Sequence, residues 1–292
     1  MRILVLGASG MLGSAVIKVF AASGHEVWGT IRSNAARRFF AGSENLTLIS
    51  NLDVLDEDAL LSAFAKARPE IVINCVGVIK QLDNANDPLA VLPINAMLPH
   101  RLSRLCRLAN ARLIHVSTDC VFSGRKGCYV ESDISDADDL YGKSKYIGEL
   151  HDDTHAVTLR TSIIGHELGT QHALVDWFLS QQGKVKGFTR AIFSGLPTFE
   201  LARVMRDYVL PHPELNGLYH VSAAPIAKYD LLGLLAKEYE KKIDIEAYHD
   251  FEIDRSLDSS KFSAATGYRP AAWPQLIAIL HDNYQREIKP YV

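Results

Sequence analysis

The sequence predicts an α/β protein in which helices cover both faces of a parallel sheet, and two observations predict it. Short runs rich in β-branched residues alternate with amphipathic segments over residues 1–165. The runs have the length of strands, and the amphipathic segments have the spacing of helices. Strict alternation of strand and helix is typical of βαβ units, whose right-handed crossovers give a doubly wound, Rossmann-type sheet.

The individual elements follow from the same two patterns. Strands are predicted at 3–6, 26–30, 46–50, 71–75, 113–117 and 156–160. Helices are predicted between them at 11–22, 56–67 and 88–109. The strands read as nearly continuous apolar runs, as expected for a parallel sheet that is buried on both faces.

After Gly165 the alternation loosens. Helices are predicted at 173–179, 198–209 and 229–239, with strand-like pieces at 184–187 and 218–221. We therefore expect a smaller C-terminal α/β lobe that covers the ligand edge of the sheet and binds substrate. This predicts a cofactor domain over 1–165 and a mainly substrate-binding lobe over 166–292. The boundary is soft, and segments of the second part can return to the Rossmann sheet.

Composition excludes several classes of partner. The 292 residues are 48% hydrophobic and 22% charged, with a net charge of −3, so the balance of charge gives no reason to expect nucleic acid. No apolar run is long enough to cross a membrane, and no signal peptide is recognised. The four cysteines lack CxxC spacing. We expect a cytoplasmic protein with reduced thiols, no metal and no membrane partner, and a homodimer remains open.

Three glycines directly follow the first strand and open the first helix. Gly7 permits a tight turn, Gly10 allows the backbone to approach a pyrophosphate, and Gly13 allows close packing of helix on strand. The N–H groups at the helix start then bind the anion. An ordinary flexible turn is the alternative, but the strand–loop–helix context favours a dinucleotide site. The predicted cofactor contacts in this loop are Gly7, Ser9, Gly10, Met11 and Leu12.

The second strand indicates which nicotinamide cofactor is bound. NAD-binding proteins of this class carry an acidic residue here, whereas this strand is followed by Arg32 and Ser33, with Arg37 and Arg38 close behind. A guanidinium suits the 2′-phosphate of NADPH. A solvated basic helix start is the alternative. We predict NADPH, with NADH still open.

The third strand is followed by two residues that we place beside the adenine. These residues are Asp53 and Val54. A carboxylate just before a predicted helix can also serve as its N-terminal cap, and Asp53 could have either role or both.

Tyr141 and Lys145 lie four residues apart and therefore on one face of a helix. Hydride transfer to a ketone leaves an alkoxide that needs a proton. A tyrosine can supply it if a neighbouring ammonium lowers the pKa of its hydroxyl, and a hydroxyl in Ser117-Thr118 could polarise the carbonyl. Any exposed helix can carry such a pair by chance, but the glycine loop makes carbonyl reduction the favoured interpretation.

Longer motifs carry a family resemblance. The glycines have GxxGxxG spacing, STDCVFSG at 117–124 is similar to STDYVFDG, and YGKSKYIGE at 141–149 resembles YGxTKxxGE. RTS at 160–162 and shorter matches at 195–198, 217–220 and 257–261 follow in the same order. Over nearly the whole chain the sequence resembles the extended short-chain dehydrogenase/reductases. Within them it resembles the dTDP-4-dehydrorhamnose reductase (RmlD-like) family.

The resemblance implies the site residues. The implied catalytic residues are Thr118, Tyr141 and Lys145. The implied contacts to the nicotinamide half of the cofactor are Cys75, Val76, Gly77, Tyr141 and Lys145. The implied substrate contacts are Gln81, Asp119, Cys120, Gly195 and Pro197. Two departures fall where the family contacts the sugar: Cys120 replaces a tyrosine, and the loop at 78–82 is unlike the usual one.

The implied activity is NADPH-dependent reduction of the 4-keto group of a nucleotide-linked 4-keto-6-deoxyhexose, in deoxysugar biosynthesis for surface polysaccharide such as lipopolysaccharide. The sugar and the nucleotide stay open. One alternative is an epimerase or dehydratase that retains NAD, which needs a further base, and Asp119 is the only nearby carboxylate. Another is a non-catalytic, cofactor-sensing subunit. His166, Glu167 and His172 could contact substrate, and Arg255 could bind a diphosphate.

Overall fold

The computed structural model describes residues 1–80, 84–170 and 173–291. Its strands are β1 (Arg2–Leu6), β2 (Glu26–Ile31), β3 (Leu46–Ser50), β4 (Ile71–Asn74), β5 (Arg112–Thr118), β6 (Ala156–Thr161), β7 (Ile163–Ile164), β8 (Lys184–Phe193), β9 (Leu196–Pro197), β10 (Gly217–His220), β11 (Ile226–Ala227) and β12 (Asp244–Asp254). Its helices are α1 (Met11–Ala21), α2 (Glu57–Ala67), α3 (Pro88–Leu92), α4 (Leu98–Leu108), α5 (Leu140–Ile147), α6 (Leu174–Ser180), α7 (Thr198–Val204), α8 (Lys228–Glu238), α9 (Ser260–Thr266) and α10 (Trp273–Asn283). A π-helical turn, Pro93–Met97, joins α3 to α4.

Seven parallel strands form the central sheet, in the order β10-β6-β5-β4-β1-β2-β3. Six of them are the predicted strands, each within one residue of its predicted ends. This confirms the doubly wound α/β class. The chain winds in opposite directions from β1 and β4, so a crevice opens between the carboxyl ends of these two strands. Ligands bind at such a switch point in sheets of this kind.

The packing of the sheet follows its two-residue side-chain period. Ile3 and Val5 point into one apolar cluster with α1, whereas Leu4 and Leu6 point into a second cluster on the opposite face. Among the described residues, no helix is both long enough and apolar enough to cross a membrane.

The second half of the chain contributes to two sheets. β10 pairs with β6 and so extends the large sheet, whereas β8 lies between β11 and β12 in a separate three-stranded sheet. β8 is longer than the predicted strand at 184–187. β12, α9 and α10 were not predicted. β12 is an edge strand with mostly exposed, often acidic side chains, so it lacks the apolar run or regular alternation that indicates a strand.

The glycine loop packs tightly between β1 and α1. Gly7 has a left-handed φ of +79°, and its N–H donates to the Thr30 hydroxyl at 3.2 Å. A Cβ atom on Gly13 would lie 2.1 Å from the Gly7 carbonyl oxygen. The start of helix α1 can therefore pack against the Gly7 backbone, directly after β1, only because residue 13 has no side chain.

A buried ion pair joins the end of α5 to the sheet. Glu149 accepts hydrogen bonds from Arg160 at 2.9 Å (Nε) and 2.5 Å (Nη2), and from the Ser117 hydroxyl at 2.6 Å. Arg160 also donates to His220 Nε2 at 3.0 Å, and His220 Nδ1 donates to the Tyr129 carbonyl. Burial, followed by the charge of Arg160, lowers the pKa of His220 to about 3, so this ring is neutral. Two strands and one helix end thus meet at one carboxylate, and a third strand joins this network through Arg160.

We expect Gly13→Ala to reduce the free energy of unfolding by about 1–3 kcal/mol, because the new methyl group overlaps the Gly7 carbonyl and the helix must shift. Urea denaturation measures this change. Gly233→Ala is the control, because a Cβ atom at that helical position would have nothing within 4 Å, and this variant should gain about 0.5–1 kcal/mol. Equal stability of the two variants would contradict the close packing described here.

We expect Glu149→Gln to reduce the free energy of unfolding by about 3–5 kcal/mol, because it leaves the Arg160 guanidinium buried without a charge partner. Asp138→Asn is the matched control. It breaks an exposed pair with Arg125 and should change stability by less than about 1 kcal/mol. A Glu149→Gln variant as stable as the control would show that the ion pair does not hold these elements together.

Candidate functional site

The start of α1 offers free backbone N–H groups at the switch point. No side chain caps this helix at Gly10, and its first turn carries no acidic residue. Gly10 is exposed, and Ser9 and Met11 are half-buried, so this part of the loop is accessible to a ligand. Leu12 is buried in the core, so only its backbone faces the loop. This arrangement fits an anion such as a pyrophosphate.

Of the three arginines after β2, the structure leaves Arg32 available. Arg32 is exposed and has no hydrogen-bond or ion-pair partner within the described ranges. Arg37 donates to the Leu48 carbonyl and to the Ser50 hydroxyl at 2.9 Å, and Arg38 lies over the Phe39 ring. Ser33 accepts a hydrogen bond from the backbone N–H of Ala35. The predicted 2′-phosphate contact therefore depends on Arg32.

Asp53 is exposed after β3, and Val54 is half-buried beside it. Asp53 accepts a hydrogen bond from the Leu55 N–H at 2.9 Å, within its own turn. Asp56, and not Asp53, caps α2 by accepting from the Ala59 N–H at 3.0 Å. The interpretation of Asp53 as a helix cap is therefore wrong, and its placement beside the adenine stays a prediction.

The residues after β4 lie against the glycine loop. A Cβ on Gly7 would come within 3.0 Å of Val76 and 3.3 Å of the Cys75 backbone. The Asn74 side chain fixes this turn by accepting from the Val76 N–H at 3.1 Å. Cys75 and Val76 are half-buried and Gly77 is exposed. The structure thus brings the two predicted halves of the cofactor site together at the switch point.

Thr118, Tyr141 and Lys145 also converge at this edge of the sheet. The Thr118 side chain lies within hydrogen-bonding reach of the Tyr141 hydroxyl and favours its ionised form. Lys145 is buried one helical turn further along α5, and its ammonium donates to the Val116 carbonyl at 2.8 Å. Asp139 starts this helix by accepting from the Gly142 N–H at 2.7 Å.

The electrostatics of this trio differ from the prediction. Burial raises the pKa of the Tyr141 hydroxyl, and the thiolate form of Cys120 and the Asp119 carboxylate act in the same direction. Burial also lowers the pKa of Lys145 to about 8. The expected lowering of the Tyr141 pKa by Lys145 is therefore absent in this structure, because the desolvation of the hydroxyl dominates. Tyr141 is a neutral hydroxyl that can donate a proton.

Asn95 was missed by sequence reasoning and holds the nearby loop in place. It lies in the π-helical turn between α3 and α4 and is buried. Its side chain accepts from the Val78 N–H at 2.9 Å and donates to the Val78 carbonyl at 3.0 Å and to the Ser144 hydroxyl. The available sequence signal was an amide side chain inside an otherwise apolar helical segment. The structure shows that this segment is a π-helical turn, and such turns often lie at functional sites.

Asp119 and Cys120 follow Thr118 directly, in a short turn. Asp119 is only 7% exposed and Cys120 is half-buried. Arg255 reaches this turn, donating to the Phe122 carbonyl at 2.7 Å and lying 3.9 Å from the Cys120 Sγ. Lys80 donates to Asp139 at 2.6 Å, 5.4 Å from the centre of the Tyr141 ring. Charged groups from separate segments therefore surround the trio.

The remaining predicted substrate residues have different surroundings. Gly195 and Pro197 are buried, and a Cβ on Gly195 would lie 2.2 Å from the Ser162 carbonyl oxygen. Among the described residues, no hydrogen bond joins either of them to Asp119 or Cys120. Gln81 lies outside the described residues.

His166 does not face the trio. Its Nδ1 bonds to Asp176, its Nε2 bonds to the Tyr239 hydroxyl at 2.7 Å, and the buried ring stacks on Tyr284. Both ring nitrogens are engaged, so the suggested substrate contact by His166 is wrong. His172, which belonged to the same suggestion, lies outside the described residues.

The chain is similar to known proteins. Residues 1–285 match the family model described as the RmlD substrate binding domain. The chain is 30% identical over 251 residues to methionine adenosyltransferase 2 subunit beta of Danio rerio, covering 82% of this chain and 74% of that one. It is 24% identical over 302 residues to dTDP-4-dehydrorhamnose reductase of Aggregatibacter actinomycetemcomitans, covering 94% and 97%.

A solved structure supports the fold. The crystal structure of dTDP-4-dehydrorhamnose reductase from Bacillus anthracis str. Ames, in complex with NADP, superposes with a TM-score of 0.78 at 19% identity, covering 97% of this chain and 99% of that one. At this identity the likeness shows the fold alone. The family model spans nearly the whole chain, and its range includes the motifs at 117–124 and 141–149. The chain belongs to the RmlD substrate binding domain family, and the predicted resemblance is confirmed.

Proposed function

We propose that this chain is an NADPH-dependent reductase of the 4-keto group of a nucleotide-linked 4-keto-6-deoxyhexose, acting in deoxysugar synthesis for surface polysaccharide. The observation that carries the proposal is the convergence of Thr118 and Tyr141 with the buried Lys145, which acts on Cys75 in the turn that contacts Gly7. Membership of the family and the relative named dTDP-4-dehydrorhamnose reductase support it. The B. anthracis neighbour that binds NADP supports the choice of cofactor.

The residues present fit the cofactor. The uncapped N–H groups at the start of α1 would bind the pyrophosphate, Arg32 the 2′-phosphate, and the turn at Cys75 and Val76 the nicotinamide side. Lys145 would also contact the nicotinamide ribose. When bound, NADPH supplies the hydride.

The protein then supplies hydrogen bonds and a proton. With substrate bound, the Tyr141 hydroxyl donates to the carbonyl oxygen, and the Thr118 hydroxyl turns from Asp119 to donate to the same oxygen. Both hydroxyls stabilise the negative charge that develops on it. Tyr141 transfers its proton to that oxygen, which leaves a phenolate. The buried Lys145 ammonium, one turn away, offsets the phenolate charge.

The direct test is NADPH oxidation with dTDP-, UDP- and GDP-linked 4-keto-6-deoxysugars, with NADH run in parallel. We expect turnover on one nucleotide series and a preference for NADPH. Absence of turnover on every member of the panel, with the cofactor bound, would overturn the proposal.

On the substrate that is turned over, Tyr141→Phe should lower kcat by about 10²- to 10⁴-fold, because the alkoxide loses its proton donor. Binding of NADPH, measured by fluorescence, should persist. Tyr146→Phe is the matched control, because this exposed tyrosine lies on the same helix and should retain full activity. Near-normal turnover by Tyr141→Phe would contradict the assigned role.

Arg32→Ala should weaken the binding of NADPH by about 10- to 100-fold, because a charged hydrogen bond to the 2′-phosphate is lost. NADH lacks that phosphate, so its Kd should change by less than about twofold and serves as an internal control. Titration calorimetry measures both constants. Parallel weakening for the two cofactors would show that Arg32 does not select between them.

A second candidate is a non-catalytic subunit that binds the cofactor. The relative named methionine adenosyltransferase 2 subunit beta, at 30% identity, favours it. Retention of Thr118, Tyr141 and Lys145 favours the reductase. Cofactor binding without turnover on any sugar of the panel would select the subunit, and turnover would select the reductase.

A further inference from the structure

Asp119 is a buried carboxylate without an ion pair. Its side chain accepts a hydrogen bond from the Thr118 hydroxyl at 3.1 Å and is also hydrogen-bonded to Cys120. No salt bridge to it is found among residues 1–80, 84–170 and 173–291. Glu149, the other buried carboxylate nearby, accepts hydrogen bonds from Nε and Nη2 of the Arg160 guanidinium. Burying a carboxylate without a charge partner is unfavourable, and such groups are found at functional sites more often than in cores.

Positive charges surround Asp119 at longer range. Arg255 and Lys80 favour its ionised form, and the charge of Asp119 in turn favours the protonated form of Lys228, at the start of α8. Burial acts against this and raises the pKa of Asp119. Opposing influences of this kind bring a carboxylate toward the range in which it can both take up and release a proton.

We propose that Asp119 is a catalytic base and acid that enolises the ketone. The protein would then exchange the hydrogen on a carbon next to the C4 carbonyl and could invert the configuration of that carbon. The identity of the ketone rests on the proposed function. The carboxylate takes the hydrogen as a proton, the C–H electron pair forms the C=C bond of an enolate, and the carbonyl π pair moves to oxygen. Return of a proton from Asp119 or from solvent to that carbon completes the cycle without any oxidant or reductant.

The position of Asp119 in the site supports this step. The enolate oxygen is the same atom that Thr118 and Tyr141 would bind during reduction, so one pair of hydroxyls stabilises both kinds of charge. Thr118 would bind the C4 oxygen, and Asp119 is the next residue in the chain. The hydrogen to be removed is on a carbon bonded to C4, two bonds from that oxygen, so the base and the oxygen-binding group must lie close together. The carboxylate and one of the two oxyanion donors, Thr118, thus lie on one short turn at the end of β5, and Tyr141 approaches from α5.

Neighbouring groups are less suited to the role. Burial raises the pKa of the Cys120 thiol to about 11, so this thiol stays protonated at neutral pH. It is a hydrogen-bonding neighbour of Asp119 and favours the ionised form of that carboxyl. Asp139 is engaged by the Gly142 N–H and by Lys80. Among the described residues around the trio, Asp119 is therefore the group that can accept a proton from carbon.

The test is hydrogen exchange in D₂O, followed by proton NMR. The probes are dTDP-4-keto-6-deoxyglucose and its UDP- and GDP-linked counterparts, with NADP⁺ in place of NADPH so that no reduction occurs. We expect loss of the proton signal at a carbon next to C4 about 10²- to 10⁴-fold faster than without protein. A wild-type protein that reduces a probe with NADPH and yet leaves these signals at the background rate would overturn the proposal.

Asp119→Asn should reduce this exchange to near the background rate, and binding of NADPH checks that the variant is folded. Asp138→Asn is the matched control, because this exposed carboxylate lies outside the trio, and exchange should persist in it. Exchange by Asp119→Asn at the wild-type rate would also overturn the proposal. Exchange without reduction would uphold it and remove the proposed reductase function. Neither reaction on any probe would remove both.

Discussion

The buried pair of Glu149 and Arg160 is the interaction on which the geometry of the site depends. Arg160 lies on β6, Glu149 follows α5, and the carboxylate also binds the Ser117 hydroxyl on β5. Ser117 precedes Thr118, and Glu149 lies one turn after Lys145. The pair therefore connects, through single residues, the two segments that carry the reacting groups. The pair fixes the end of α5 relative to the sheet, and α5 carries the Tyr141 hydroxyl and the Lys145 ammonium. Reacting groups need such support from neighbouring residues to keep one geometry.

The strands of the large sheet could be predicted because their burial on both faces produces unbroken apolar runs. The glycine loop could be predicted because its spacing reflects backbone geometry, and Gly13 shows that constraint directly. β12 could not, since an exposed edge strand carries no such run. Glu149 and Arg160 were visible as parts of motifs, but the sequence does not show that two positions eleven residues apart share one buried hydrogen-bond network.

Electrostatic properties were the least predictable part of the site. The four-residue spacing of Tyr141 and Lys145 places them on one face, but it does not give the degree of burial that determines both pKa shifts. In the same way, three arginines after β2 look equivalent in the sequence. Only the fold shows that Arg37 is held by the third strand, whereas Arg32 has no hydrogen-bond or ion-pair partner in the part of the chain that the structure describes. The spacing of residues in the sequence predicts which side chains share a helix face. The burial of those side chains depends on how all the elements around them pack.

The pairing of β10 with β6 has a consequence for how the chain reaches its final form. The large sheet receives its last strand only after the chain has passed through β7, β8 and β9. Until residues 217–220 are available, β6 is therefore the edge strand of this sheet on the side away from β5. Its backbone groups on that side can then pair with other chains. His220 arrives with β10 and completes the network around Arg160. The terminal part of this sheet is therefore built from contacts distant in sequence, a topology that slows folding.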